Sequence, residues 1–299
     1  MVAMVTKTQI TFETVEVDAQ GAVLKRETRQ RPALILPLGE GVELTLLLIP
    51  AGRGLLGAPP EEEGFQKKQG PQTQITVGAF ALGQYPVTQH QWQAVCALPK
   101  VKESLDPDCA NFSGADRPVE QVTWGQAAEF CQRLARHLDL PLRLPSEGEW
   151  EYACRGGTST PFHFGPTVTT DLANYSGVDW EYQGKVCNRG AYGQGPLGLD
   201  RRETTPADYF QICNPFGLGD LHGNVREWCA DPWHPNYLHR PPKGAVWPSA
   251  EAAPDRVVRG GSWNRGPQYC RSASRSHFPP ETALYDLGFR VALNLGAEI

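Results

Sequence analysis

Apolar and polar positions alternate through the first quarter of the chain. In TQITFETVEVDAQGAVLKRETRQ two period-two runs flank Asp18-Ala-Gln-Gly21, which predicts a β-hairpin. VELTLLLIPAG (42–52) reads as a buried strand stopped by Pro50 and Gly52. TQITVGAFALGQYPVT (73–88) reads as one further strand, with Ile75, Val77 and Ala79 on one face. Between these two, APPEEEGFQKKQGPQ (58–72) is polar and rich in Pro and charge, the composition of an exposed loop.

The period then changes. Thr88-Gln-His-Gln91, Thr123-Trp-Gly-Gln126 and Ser146-Glu-Gly-Glu149 each match the capping box, in which a hydroxyl accepts the N3 amide and the N3 side chain reaches back. Each opens an apolar-periodic segment, so three helix starts are expected. The second segment is the clearest. Trp124, Ala127, Ala128, Cys131, Leu134, Ala135 and Leu138 form one stripe at helical spacing, and Pro141 ends it. Residues 156–220 carry no helical period and are dominated by Gly, Pro, Thr, Asn and Tyr, which predicts loops held by side-chain packing or ions. RVVRGGSW (256–263) and LGFRVAL (287–293) read as strands bracketing an irregular segment, Asn264–Asp286.

Composition narrows the function classes. Gly and Pro are abundant (31 and 26 of 299 residues), so turns outweigh long helices. A formal charge of −5 lacks the basic excess of a general nucleic-acid binder. No apolar run approaches the roughly 18 residues that span a bilayer, and the start lacks a cationic segment followed by an apolar one. A cytoplasmic protein with no nucleic-acid or membrane partner is the expectation. The few Met, many Pro and capped helices also suit a thermally robust chain. Eight cysteines form no CxxC and have no zinc-finger His spacing, so buried free thiols are expected, with a small Cys96–Cys109 loop as the alternative.

RPVEQVTWGQAAEFCQRL, LPLRLPSEGEWEYACRGG, NPFGLGDLHGNVREWCADPW, RVVRGGSW and RSASRSHFPP…LGFRVAL follow one another in the chain. In that order they resemble the formylglycine-generating-enzyme-type (sulfatase-modifying-factor) family. The resemblance implies an α+β, loop-rich variant of the C-type lectin fold over residues 44–299, with 1–43 as an N-terminal strand extension. It does not by itself imply an activity, because one fold hosts many. The family's oxidase binds copper and substrate thiol through two cysteines just after the G-G-S motif, a thiolate pair being what a soft Cu(I) ion requires. Here WNRGPQYCRSASRS supplies only Cys270. The iron-dependent sulfoxide synthases on this fold need an HxxxH-type helical site, and none of the seven His is so paired. No G-x-S-x-G motif is present either. Neither copper nor iron is expected.

A further branch of the family, proteins diversified by retroelements, is similar in a more specific way. Its variable segment reads G-G-S-W, changing positions, C-R-S-A, changing positions, then G-F-R-V. This chain has Gly260–Trp263, Cys270–Ala273 and Gly288–Val291. The resemblance implies a variable region over 263–287 displaying Asn264, Arg265, Gly266, Tyr269, Ser274, Ser276, His277, Phe278, Leu284, Tyr285 and Asp286. The ten residues after Asn264 in that set can all be reached by changing adenines of an Asn codon; Trp263, Gln268 and Glu281 cannot. Aromatics among small polar groups suit either a recognition surface or the plug of an irregular core. Trp263, Arg271, Arg275, Phe289 and Arg290 read as scaffold, the arginines bonding loop carbonyls. A non-catalytic protein that binds a macromolecular, protein-type ligand is the leading expectation. The alternatives are an oxidoreductase of the family with an altered or lost site, and a regulatory module.

The resemblance also implies bound calcium. Asp220 and Glu227 would give carboxylates and Gly223 and Val225 carbonyls, the hard oxygen set that such a cation takes; the other reading has those carboxylates accepting from Arg226 or loop amides. A second site near Asn174 has no clear partners. Family disulfides involve the positions of Cys131 and Cys154. One partner position is Val291 here, and Cys154 with Cys270 remains as a candidate pair.

Overall fold

The computed structural model describes residues 5–39 and 41–295. In chain order the elements are β1 (Thr6–Val17), β2 (Val23–Gly39), β3 (Val42–Ile49), β4 (Gly52–Leu56), β5 (Thr73–Val77), β6 (Phe80–Gly83), α1 (Gln89–Cys96), α2 (Trp124–Leu138), β7 (Leu142–Arg143) and α3 (Glu147–Arg155). They continue with β8 (Trp180–Tyr182), β9 (Lys185–Asn188), β10 (Arg226–Pro232), β11 (Arg256–Arg259), β12 (Arg275–Phe278), β13 (Leu287–Gly288) and β14 (Ala292–Asn294). A six-stranded sheet runs β1-β2-β3-β6-β14-β7, and a four-stranded sheet runs β12-β11-β10-β13. The first is antiparallel throughout and the second is mixed, β13 running parallel to β10; with three short helices and long connections they make the α+β, C-type-lectin-like class.

Local chemistry sets most element ends. The first hairpin turns at Asp18, whose Oδ1 accepts the amides of Gln20 and Ala22 at 2.9 Å each, while Gly21 takes φ +85°. All three helices start on complete capping boxes, at Thr88, Thr123 and Ser146; each hydroxyl contributes about 1 kcal/mol. α2 stops at Asp139, which adopts the left-handed conformation at φ +54°. On its core stripe Ala127, Cys131, Leu134 and Leu138 are buried. Its other face holds a buried ion pair, Glu129–Arg133 at 2.8 Å, because residues 101–103 send three amides to the Glu129 carboxylate.

Two expected strands are each divided. Residues 73–88 give β5, which pairs with β4, and then β6, which joins β3 and β14 in the other sheet. The chain changes sheets at Gly78, so Ile75 and Val77 are buried but Ala79 is exposed. Residues 287–293 likewise split into β13 beside β10 and β14 beside β6 and β7. The irregular segment 264–286 contains a 3-10 turn, Pro267–Tyr269, and the strand β12, which pairs along β11. The polar loop 58–72 is not wholly exposed: Ala58 and Gln69 are buried, and Glu62 meets Arg271.

Arginine does the work that regular ladders cannot do in so loop-rich a chain. Arg271 donates to the carbonyls of Gln268 and Gly64, Arg275 to Lys68 and His234, and Arg290 to Gly83, Gln84 and Gly219. Each would otherwise leave buried carbonyls unpaired. Their charges are met by buried acids: Arg275 meets Glu147 at 2.7 Å, and Arg259 meets Glu151. All eight cysteines are free, so neither Cys96–Cys109 nor Cys154–Cys270 is bonded. Cys154 instead donates to Ser272 Oγ at 3.6 Å, and burial pushes its thiol up to about 12. Among the described residues no helix is long and apolar enough to cross a membrane.

Candidate functional site

β11 ends at Arg259, and Gly260 and Gly261 follow with φ of +96° and +70°. Space as well as angle demands glycine at Gly261: a Cβ there would lie 2.5 Å from Cys270 Sγ. This tight passage brings the chain to the surface at Asn264–Tyr269. Ser262 Oγ steadies the passage by donating to Asp286 at 2.7 Å.

The predicted display residues divide into three groups. Arg265, Tyr269 and Tyr285 reach solvent, the two rings being 39 % and 46 % exposed. Asn264, Ser276, His277, Phe278 and Leu284 are half-buried. His277 stacks on Trp233 at 4.2 Å, with Nδ1 2.6 Å from Asp255. Phe278 meets Trp228 edge-on at 6.4 Å and lies under the Arg226 guanidinium at 4.7 Å, while Leu284 packs against the core. The aromatics of the segment are thus divided between half-buried and exposed positions.

Gly266, Ser274 and Asp286 are corrected from display to support. A Cβ on Gly266 would stand 2.5 Å from Asn188 Oδ1 and 2.6 Å from the Arg189 carbonyl, so the β8–β9 hairpin leaves no room for a side chain. Ser274 is 8 % exposed and Asp286 only 1 %. Asp286 is held by Arg226 at 2.5 Å and by Ser262, which spends its charge inside the fold.

Two depressions adjoin on this face. The smaller, about 180 Å³, is lined by Lys68, Arg226, Arg265, Tyr269, Ser276 and Phe278 among others. The larger, about 590 Å³, lies between the β8–β9 hairpin and residues 263–269, with Trp180, Asp179, Trp263 and Asn264 on its walls. Arg265 and Tyr269 line both. Trp263 is anchored edge-on to Phe112 at 5.3 Å and sits 5.6 Å from Tyr285.

The hairpin was missed by sequence reasoning. Trp180 and Tyr182 are 56 % and 59 % exposed and lie near-parallel, with ring centroids 6.2 Å apart. The usable signal was WEYQGK, a short alternating run around Gln183-Gly184, hidden in a Gly-rich stretch. Lys68 was missed as well, because it comes from the loop read as solvent-facing.

The two carboxylates among the four calcium candidates are placed very differently. Glu227 is fully buried, and both of its carboxylate oxygens are engaged: Arg290 donates at 2.6 and 2.7 Å, and Trp150 Nε1 at 2.8 Å. A guanidinium already neutralises the charge a cation would need. Asp220 is left with a long contact from Asn224 at 3.5 Å, and burial pushes its carboxyl up to about 7. Gly223 and Val225 belong to the same turn, where Asp220, Gly223 and Asn224 have φ of +54°, +117° and +61°. In this arrangement Glu227 is spent on Arg290 and Trp150, and among the described residues no group of three or more His, Cys, Asp or Glu is placed to hold a metal.

Cys270 is buried, and its thiol is pushed up to about 12 by that burial. A thiol so placed is a poor nucleophile and a poor thiolate ligand.

Comparison with known proteins gives the same lineage. Residues 40–295 match the Sulfatase-modifying factor enzyme 1-like domain. Formylglycine-generating enzyme of Mus musculus is 32 % identical over 222 residues, covering 69 % of this chain and 54 % of that protein. The protein named inactive C-alpha-formylglycine-generating enzyme 2, also from Mus musculus, is 27 % identical over 315 residues, covering 87 % and 89 %. The chain spans about half the length of the curated relative named first. Among solved structures, PvdO from Pseudomonas aeruginosa has a TM-score of 0.71 and Treponema denticola variable protein 1 one of 0.66. Both are 25 % identical, over 87 % of this chain and 98 % of theirs. Relatives named as enzymes, as inactive and as variable therefore share this scaffold, and the chain belongs to the sulfatase-modifying factor enzyme 1-like family.

Proposed function

We propose that this chain is a non-catalytic binding protein that captures a macromolecular, protein-type ligand on the face built by residues 263–285 and the β8–β9 hairpin. The observation that carries this reading is the contrast at one place. Arg265, Tyr269 and Tyr285 are exposed in a segment that also buries Gly266, Cys270 and the Arg226-paired Asp286, and Trp180 and Tyr182 stand exposed on the β8–β9 hairpin beside it. Rigid aromatics with few rotatable bonds lose little entropy on binding, which suits recognition. The lone Cys270 of the segment is buried with a raised pKa, which argues against thiol chemistry there.

Capture from the producing cell's own lysate or surface extract, on immobilised full chain, tests the reading. Loss of a specific captured protein on Tyr285→Ala with Tyr269→Ala supports it. Conversion of a peptidyl cysteine to an aldehyde by the chain would overturn it and favour the oxidoreductase alternative.

A further inference from the structure

The smaller depression has a charge imbalance. Five cationic side chains line it, Lys68, Arg226, Arg259, Arg265 and Arg275, and no carboxylate does. Three of the five are already paired behind the wall. Arg226 is held by Asp286, Arg259 by Glu151 and Arg275 by Glu147. Lys68 and Arg265 have no carboxylate within 4 Å among the described residues. Arg226, only 6 % exposed, also keeps a buried Nε–H with no acceptor among those residues.

Ser276 and Tyr269 line the same space, and their hydroxyls have no hydrogen-bond partner among the described residues. Phe278 closes one wall. The space far exceeds the roughly 10–15 Å³ that one water needs, enough for an oxyanion and the first atoms of whatever carries it. Cations held this close together repel one another, and a bound anion relieves that repulsion. Lys68 already feels it, since burial and the neighbouring Arg275 lower its pKa.

We propose that this pocket is an oxyanion-binding site, with Lys68 and Arg265 as its charge-bearing clamp and the hydroxyls of Ser276 and Tyr269 as neutral donors. The site takes a phosphoryl or carboxylate group presented by the ligand, while the larger groove takes the apolar part beside it. This deepens the binding reading above and rests on it for the identity of the carrier. The anion chemistry itself can be tested without knowing the ligand. Lys68 lies outside the segment 264–286, so the anion clamp joins a fixed residue to one in the variable frame.

The experiment is calorimetric titration of the full chain with inorganic phosphate at constant ionic strength, chloride making up the balance. Saturable one-site binding is expected. It should weaken at least tenfold in Lys68→Met and in Arg265→Met, and stay within threefold in Lys68→Arg. Because neither side chain bonds to another group among the described residues, both variants should melt as the parent does. Parallel titration with phosphoserine and with N-acetylglutamate separates the two sources: preference for either supports the site and names its carrier. Absence of saturable phosphate binding, or equal binding in Lys68→Met and Arg265→Met, overturns the proposal. Tyr285 is not among the residues lining the smaller depression and stands 5.6 Å from Trp263 of the larger one, so Tyr285→Ala should spare phosphate binding and the two readings fail separately.

Discussion

Arg290 closes on both carboxylate oxygens of Glu227, at 2.6 and 2.7 Å, with both side chains fully buried. The pair joins the segment between β13 and β14 to β10, and so ties the end of the chain to the Gly223–Val225 turn. Removing one partner strands the other charge away from water. Glu227→Gln should therefore destabilise the fold by about 3–5 kcal/mol, read as a shift of the urea midpoint.

With Arg290 closed on Glu227, the turn is expected to hold without calcium. Melting temperature should be unchanged by excess chelator, measured by differential scanning calorimetry. A fall of several degrees, restored by calcium and not by magnesium, would show that the cation and not Arg290 braces this loop.

The tyrosines and Phe278 should separate cleanly on mutation. Tyr285→Ala and Tyr269→Ala each remove a ring that is 46 % or 39 % exposed, so stability should move by no more than about 0.5 kcal/mol. Phe278→Ala strips a contact with Trp228 and a lid from Arg226, at a cost of about 2 kcal/mol. Denaturant curves of the three variants, set beside ligand capture, assign each side chain to surface or core.

Glu120 gives a pH signature. Its Oε1 accepts the Phe112 amide at 2.9 Å, its Oε2 has no partner among the described residues, and burial pushes its carboxyl up to about 7. Above its ordinary value near 4.5 the unfolded chain carries the charge freely, whereas the native site must bury it. The stability contributed by the protonated form is complete below about 4.5 and is lost as pH rises through about 7. Relative to Glu120→Gln, the parent should lose on the order of 2–3 kcal/mol across that window. Urea titrations of both proteins at half-unit pH steps read the difference, and a flat difference would mean that the charge is solvated.

Thiol reactivity should single out Cys187. It is the exposed cysteine, on β9, whereas Cys96 and Cys109 are half-buried with thiols pushed up to about 11 and 12, chiefly by burial. One fast-reacting thiol per native chain is expected with a chromogenic disulfide at pH 7.5, and eight after unfolding. Fewer than eight on unfolding without reductant would reveal a disulfide.

What could be read from the chain alone is what rests on neighbours in sequence. The Asp18–Gly21 turn, the three capping boxes and the α2 stripe depend on contacts a few residues apart, so the residue order specifies them. The ordered family motifs carried the fold class, because the arginines and glycines in them meet constraints of one scaffold. Tertiary structure decided which residues of 264–286 face outward. A period-free segment encodes no face: Phe278 is half-buried at the end of β12, paired along β11, while Tyr285 in the following loop is exposed. It also decided that Glu227 meets a guanidinium 63 residues away, and that Lys68, 197 residues before Arg265, lines the same pocket. Charges are paired or left unpaired by distance in space, and sequence spacing does not fix that distance once the chain is mostly loop.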